Sequence, residues 1–208
     1  MPVSQADFWN RIARKYAARP IGDEAAYREK LRRTQALFTP GTRALEFGCG
    51  TGSTALEHAP HVAHYRAGDI AGEMIAIARE KAAAAGVENV EFAVETLEDR
   101  AGDGPAWDAV LGLNILQLVP DVPETCARAF ALTKPGGVFV TSTVTLGDRL
   151  LWARPLIWAL KLVGKAPPVN YVSEAQVKRA MTDAGFVIED AWRPNKALGI
   201  FMIARKPG

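Results

Sequence analysis

Apolar side chains recurring at helical spacing, in Phe8, Ile12 and Tyr16 and again in Ala26, Leu31, Ala36 and Leu37, predict two helices ahead of anything strand-like. Pro40-Gly41 breaks the pattern, and Ala44 to Phe47 then forms a short apolar run that enters a glycine cluster, the opening of a strand–turn–helix unit. A second strand is expected over His64 to Gly68, ending in Asp69, and an alanine-rich helix over Gly72 to Ala85, stopped by Gly86. Val90 to Val94 alternates as a third strand and Trp107 to Gly112 is an apolar fourth. A helix follows near Val122 to Leu132, and the turn Lys134-Pro135-Gly136-Gly137 launches a strand from Val138 to Thr143. Ser173 and Gln176 form a capping box for a helix reaching about Ala184, and Phe186 to Trp192 and Leu198 to Ala204 read as closing strands. The connection between those two is too short for a crossover helix, so they should be antiparallel neighbours. The expected class is α/β: a doubly wound, seven-stranded, mostly parallel sheet whose last strand runs backwards.

At 208 residues the chain is expected to be one domain, with residues 1–40 as an N-terminal helical cover and residues 146–171 as an insert. Apolar residues at 49% and charged residues at 23% exclude disordered, collagen-like and disulfide-scaffold classes. The net charge of +2 is uneven, because residues 1–43 carry +5. A basic front of this kind suits anionic lipid or nucleic acid, and a solvated helix face explains it at least as well. Cys49 and Cys126 are far apart and lack metal-ligand spacing, so neither a disulfide framework nor a metal site is expected. The N-terminus does not read as a secretory signal, and the apolar stretch from Leu150 to Val163 is interrupted by Arg154, Pro155 and Lys161 and falls short of the ~20 residues of a membrane span. A cytoplasmic protein is expected, with peripheral contact at the inner membrane face left open.

The chemistry concentrates in Glu46-Phe47-Gly48-Cys49-Gly50-Thr51-Gly52-Ser53. Alternating glycines let the backbone turn sharply and approach a ligand with no Cβ in the way, while amides and the next helix start face it. A dinucleotide fingerprint would place glycine or alanine where Ser53 stands; Gly52 instead completes G-x-G-x-G, which leans away from NAD. Asp69 lies 21 residues beyond Gly48 at a predicted strand end, where a carboxylate can accept both hydroxyls of a ribose.

The loop E-F-G-C-G-T-G resembles that of the class I S-adenosylmethionine-dependent methyltransferases, especially the small-molecule branch that includes ubiquinone and menaquinone methyltransferases. The resemblance runs from about Phe8 to Thr143, with a looser match over the two closing strands. It implies a Rossmann-like methyltransferase fold and S-adenosylmethionine as cofactor. It implies further that Gly48, Cys49, Gly50 and Gly52 bend around the methionine portion of that cofactor, that Glu46 steadies the loop and the ammonium side, and that Asp69 holds the ribose. Ile70 and Met74 match the apolar residues that clamp adenine, although Met74 reads equally well as core. Ala71-Gly72 stands where relatives usually open the following helix with Ser-Pro, which weakens the cap.

In Val90 to Glu98, Thr96 occupies the place of an Asp that commonly receives the adenine amino group, and Leu97 offers its backbone amide to the ring. Asp108 to Gln117 resembles the motif where donor and acceptor meet: Asn114 is the expected polar group facing the cleft, with a carbonyl near Leu113 for the ammonium. Gln117 replaces the His of several relatives and cannot take a proton at neutral pH. Tyr16 matches an N-terminal tyrosine brought over the methionine end, with Tyr27 second. Asn114 and Tyr16 are thus the catalytic candidates, and either can also be an ordinary structural residue. His58, His61 and His64 cluster away from the strand mouths and are read as structural.

The insert around Leu150 to Lys165, if helical, gathers Arg154, Lys161 and Lys165 on one face beside Trp158, which makes it either a lid over an apolar acceptor pocket or a membrane-surface helix. The leading expectation is methylation of a small, apolar acceptor. A lipid or quinone methyltransferase at the membrane face and a non-catalytic cofactor-binding protein are the alternatives; no nucleic-acid partner is expected, and the oligomeric state is left open.

Overall fold

In a computed structural model, residues 4–149, 169–194 and 199–208 are described, and the first two helices are α1 (Gln5–Ala17) and α2 (Glu24–Gln35). Strands and helices then alternate as β1 (Arg43–Phe47), α3 (Ser53–His58), β2 (His64–Asp69), α4 (Gly72–Ala85), β3 (Val90–Val94), β4 (Trp107–Leu113), α5 (Val122–Leu132) and β5 (Thr133–Val144). A helical turn α6 (Leu146–Arg149), helix α7 (Glu174–Asp183), β6 (Val187–Trp192) and β7 (Gly199–Arg205) complete the described elements. The sheet order is β3-β2-β1-β4-β5-β7-β6, with β1 to β5 parallel and β7 inserted antiparallel between β5 and β6. This is the doubly wound sheet with a reversed last strand that the apolar pattern implies.

Consecutive strand residues serve opposite cores, which is why the strands read as continuous apolar runs. Leu45, Val110 and Phe139 join Cys126, Leu132, Val177 and Met181 of α5 and α7 on one face; Ala44, Leu111 and Val140 join Ala55, Ile75 and Ala78 of α3 and α4 on the other. The capping box is present as expected: Ser173 and Gln176 satisfy each other's backbone amides at the start of α7.

One boundary departs from the expected one. α5 runs directly into β5, which starts at Thr133 rather than Val138, because Thr133 pairs with Trp107 and the Pro-Gly-Gly segment is taken into the ladder as an irregularity. Gly136 and Gly137 are held there by reciprocal backbone bonds to Lys206, so the expected turn is an element of the sheet. The insert helix expected over Leu150 to Lys165 lies outside the described residues. The residues on either side of it meet each other and the segment after β4: Gly147 N–H donates to Val172 O at 3.1 Å and Asn170 N–H to Gln117 O at 2.7 Å.

α1 packs on α4 through Ala13, Met74 and Ile77, with Trp9 and Ala17 at the margin. Ala71 supplies no side-chain cap to α4, and the deficit is met from outside the helix: Asn10 Oδ1 accepts from Glu73 N–H at 2.9 Å and Asp69 Oδ1 from Ala71 N–H at 2.9 Å. Asn10→Ala should therefore cost about 0.5–2 kcal/mol, the range for losing a helix cap, read as a lower midpoint in urea unfolding.

On α2, Arg28, Arg32 and Arg33 pair with Glu24, Glu29 and Asp190, and the Arg33 guanidinium lies over the Trp192 ring at 4.7 Å. These arginines form an ion-paired helix face, although Glu24 and Glu29 are already counted in the +5 and, of these partners, only Asp190 adds a counter-charge from beyond residue 43. Among the described residues no helix is long and apolar enough to cross a membrane.

Candidate functional site

The first crossover brings the glycine loop to the carboxyl end of β1, where open α/β sheets bind ligands. Gly48, Gly50 and Gly52 all have left-handed backbones, with φ of 67°, 56° and 72°. They differ in what surrounds them. A Cβ on Gly48 would meet Ile115 at 2.6 Å, and one on Gly52 would meet Ala78 at 2.7 Å and Phe92 at 2.8 Å, so these two are closed by packing. On Gly50 the nearest atom is Tyr16 Cε1 at 4.0 Å, which leaves its approach open beneath that ring.

Asp69 ends β2 beside the loop, 9% exposed. Its Oδ2 accepts from Gly50 N–H at 2.9 Å while its Oδ1 holds the start of α4, and burial raises its pKa against the lowering effect of these amides. Each oxygen keeps lone-pair capacity for a further donor. Tyr16, 41% exposed, stands over the loop edge-on to Trp9 at 5.8 Å, its hydroxyl pKa raised by burial and by the Asp69 charge. The structure therefore brings Tyr16, Gly50 and Asp69 together.

Glu46 is buried under the loop, 2% exposed, and accepts from the Tyr65 hydroxyl at 2.9 Å. Burial pushes its carboxyl up to about 7, with the Asp69 charge adding to the effect. Cys49 follows half-buried, its thiol pushed well above its ordinary range by burial and the nearby carboxylates, so it is not a thiolate nucleophile at neutral pH.

The remaining candidates are distributed along the same edge. Ile70 is half-buried, but Met74 is 2% exposed within the α1–α4 packing, which favours the core alternative for that residue. Leu97 is buried at 4%, and the Thr96 hydroxyl donates to Asp99 Oδ2 at 3.0 Å, leaving its oxygen as an acceptor. Leu113 is half-buried at the end of β4, and exposed Asn114 follows with φ of 57°, the one non-glycine left-handed residue among those described. Its amide donates to Ser142 O at 2.6 Å, and the Gln117 side chain bridges Asn114 O at 2.7 Å and Val144 N–H at 3.3 Å. Gln117 thus locks the strained turn, a structural duty consistent with its inability to act as a base.

His58 and His64 are held in ring packing. His58 is fully buried with neither ring nitrogen hydrogen-bonded, and burial lowers its pKa to about 3; His64 stacks on Trp107 at the opposite end of β2 from Asp69. Among the described residues no group of His, Cys, Asp and Glu is placed to hold a metal.

Two contributors escaped the sequence reading. Lys30 of α2 donates to Ser142 Oγ at 2.9 Å, and Ser142 Oγ donates to Asn114 Oδ1 at 3.4 Å. The hydroxyl run Thr141-Ser142-Thr143 at the end of a central strand was a readable signal, whereas nothing in α2 distinguishes Lys30 from its basic neighbours.

The residues fit S-adenosylmethionine: the backbone over Gly50 is open, a carboxylate with spare acceptor capacity stands one strand away, and a buried carboxyl lies below for an ammonium-bearing tail. A methyltransferase-domain family model matches residues 14–191, and the chain belongs to that family. Among curated relatives, a ubiquinone biosynthesis O-methyltransferase of Xylella fastidiosa (strain 9a5c) is 30% identical over 158 residues, covering 72% of this chain and 63% of the relative. One from Xanthomonas campestris pv. campestris (strain B100) is 36% identical over 127 residues, covering 60% and 49%. The chain thus spans less than two thirds of the length of these relatives. Among solved structures, geranyl diphosphate C-methyltransferase from Streptomyces coelicolor A3(2) superposes with a TM-score of 0.71 at 16% identity, covering 88% of this chain and 79% of that one. The [4+2]-cyclase SpnF superposes with a TM-score of 0.73 at 18% identity, covering 91% and 83%, so the fold alone does not fix the reaction.

Proposed function

We propose that the protein is an S-adenosylmethionine-dependent methyltransferase acting on a small, largely apolar acceptor. The observation that carries this reading is the left-handed glycine loop lying against Asp69 with open backbone at Gly50. The loop at Gly48, Cys49, Gly50 and Gly52 would hold the amino-acid tail, Glu46 and the Leu113 carbonyl the ammonium, and Asp69 the ribose hydroxyls. Thr96, the Leu97 amide and Ile70 would receive adenine. When bound, the cofactor supplies a methyl carbon on a sulfonium sulfur, which keeps the electron pair of the broken carbon–sulfur bond as the acceptor's lone pair takes the carbon.

The protein's part is alignment. Tyr16 covers the loop and excludes water, and Asn114 fixes the mouth where the acceptor enters. Holding reactants in a near-attack geometry can supply a large share of the ~7–11 kcal/mol available from orientation. The names of the curated relatives favour an oxygen on a quinone-precursor ring as the accepting atom. The +5 charge of residues 1–43 supports a second reading, in which that acceptor is drawn from a membrane surface; salt-dependent pelleting with anionic vesicles distinguishes it from the first.

Calorimetric titration with S-adenosylmethionine and with NAD, followed by turnover of labelled donor against a panel of phenols, quinones and amines, tests the reading. Heat with NAD alone, or cofactor binding without transfer to any acceptor, would overturn it. A pH signature should accompany binding. Glu46 is largely protonated in the free protein below about pH 7, and an ammonium placed beside it favours the anion, so binding should release a proton. Affinity should then rise with pH up to about 7 and flatten above it; equal binding heats at pH 6.5 in buffers of different ionisation enthalpy would show that Glu46 does not face the ammonium.

A further inference from the structure

Lys30 is half-buried on the inner face of α2, and its ammonium reaches across to the end of β5. No carboxylate among the described residues forms an ion pair with it, unlike Arg28, Arg32 and Arg33 of the same helix. Asp23 attracts it only from the start of α2, where Asp23 Oδ1 is taken by Ala26 N–H. Its protein partner is a neutral hydroxyl, Ser142 Oγ, which in turn reaches the Asn114 amide oxygen at the mouth between β4 and β5. An ammonium has three donors, and one serves Ser142. A partly desolvated cation without a counter-ion is unfavourable, and its lowered pKa reflects that burial.

The charge therefore stands next to Asn114 and one strand beyond the glycine loop's neighbour, at the place the proposed reaction assigns to the acceptor. We propose that Lys30 is the acceptor-anchoring residue, and that it receives the ionised oxygen of a phenol or comparably acidic enol in line with the donor. The inference rests on the methyltransferase reading and deepens it by naming the residue that would hold and ionise the acceptor oxygen. Because Gln117 cannot take a proton, a phenol needs another means of becoming a nucleophile. An adjacent ammonium provides it without accepting the proton: it stabilises the phenolate, and the proton leaves for solvent. A neutral amine would gain nothing from this arrangement and would be repelled once protonated. Ser142 holds the lysine in position, and Asn114 remains to donate to a second oxygen on the same ring.

The test is optical. 4-Nitrophenol and 4-nitrocatechol, whose anions absorb at longer wavelength, are titrated against the full chain saturated with S-adenosylhomocysteine. In the wild type the bound phenol should ionise at a pH about 1–3 units below its value in buffer, the effect of an opposite charge within a few ångströms. Lys30→Met should abolish that displacement while leaving S-adenosylhomocysteine affinity within about threefold, and Lys30→Arg should restore part of it. A lysine that merely pins α2 to β5 would lower the unfolding midpoint in Lys30→Met but leave the spectrum of the bound phenol unchanged, which would overturn the proposal. So would a wild type that binds S-adenosylhomocysteine but neither phenol. A wild type that fails to bind S-adenosylhomocysteine removes the methyltransferase reading itself, and the proposal falls with it.

Discussion

Asp69→Ala should weaken S-adenosylmethionine binding by about 1–3 kcal/mol, the scale of losing hydrogen bonds to a charged group, which is a loss of roughly 5- to 150-fold in affinity. Two effects add in this variant. The ribose would lose the acceptor proposed for it, and Gly50 N–H and Ala71 N–H lose the oxygens that now hold the loop and the start of α4. Asp69→Asn separates them, since its carboxamide oxygen keeps one backbone bond while the amino group opposes the other. Calorimetry gives the affinities and thermal unfolding the structural part. An Asp69→Ala variant that binds as tightly as the wild type would remove the ribose from this end of β2.

Gly52→Ala should be the most destabilising single change in the loop, by roughly 2–5 kcal/mol. The backbone there is left-handed, and the added methyl would collide with the Ala78 methyl and the Phe92 ring at 2.7 and 2.8 Å, neither of which is a flexible tip that can swing aside. Gly50→Ala provides the contrast. It bears the same backbone strain, but its methyl would enter open space 4.0 Å from Tyr16, where the ligand is proposed to pass. Chemical unfolding should thus rank Gly52→Ala well below Gly50→Ala, and donor titration should find Gly50→Ala impaired although still folded. Similar stabilities for the two would mean that Ala78 and Phe92 do not close the loop.

What the amino-acid sequence revealed was mostly what is local. The apolar run Ala44 to Phe47 followed by alternating glycines locates the loop because backbone conformation is encoded in the residues that adopt it, and Asp69 follows from strand length. The capping box of α7 was legible for the same reason. Met74 was ambiguous because an apolar side chain on the first turn of α4 suits a ring or a neighbouring helix equally, and only the position of α1 favours the second. The β5 start was misjudged because Pro-Gly-Gly has the chemistry of a turn, while its conformation is set by Lys206, far away in the chain. Lys30 and Asn10 were invisible for a related reason: each acts on an element 60 residues or more away, and no spacing within its own helix marks it.

Asn10 and Tyr16 sit on one helix, so the cap of α4 and the roof over Gly50 move as one body. A nucleoside bound over Gly50 as proposed would lie beneath the Tyr16 ring, on the helix that Asn10 ties to α4. Variants that dock α1 more firmly would then gain heat resistance and lose throughput, with product escape rather than bond-making setting the pace.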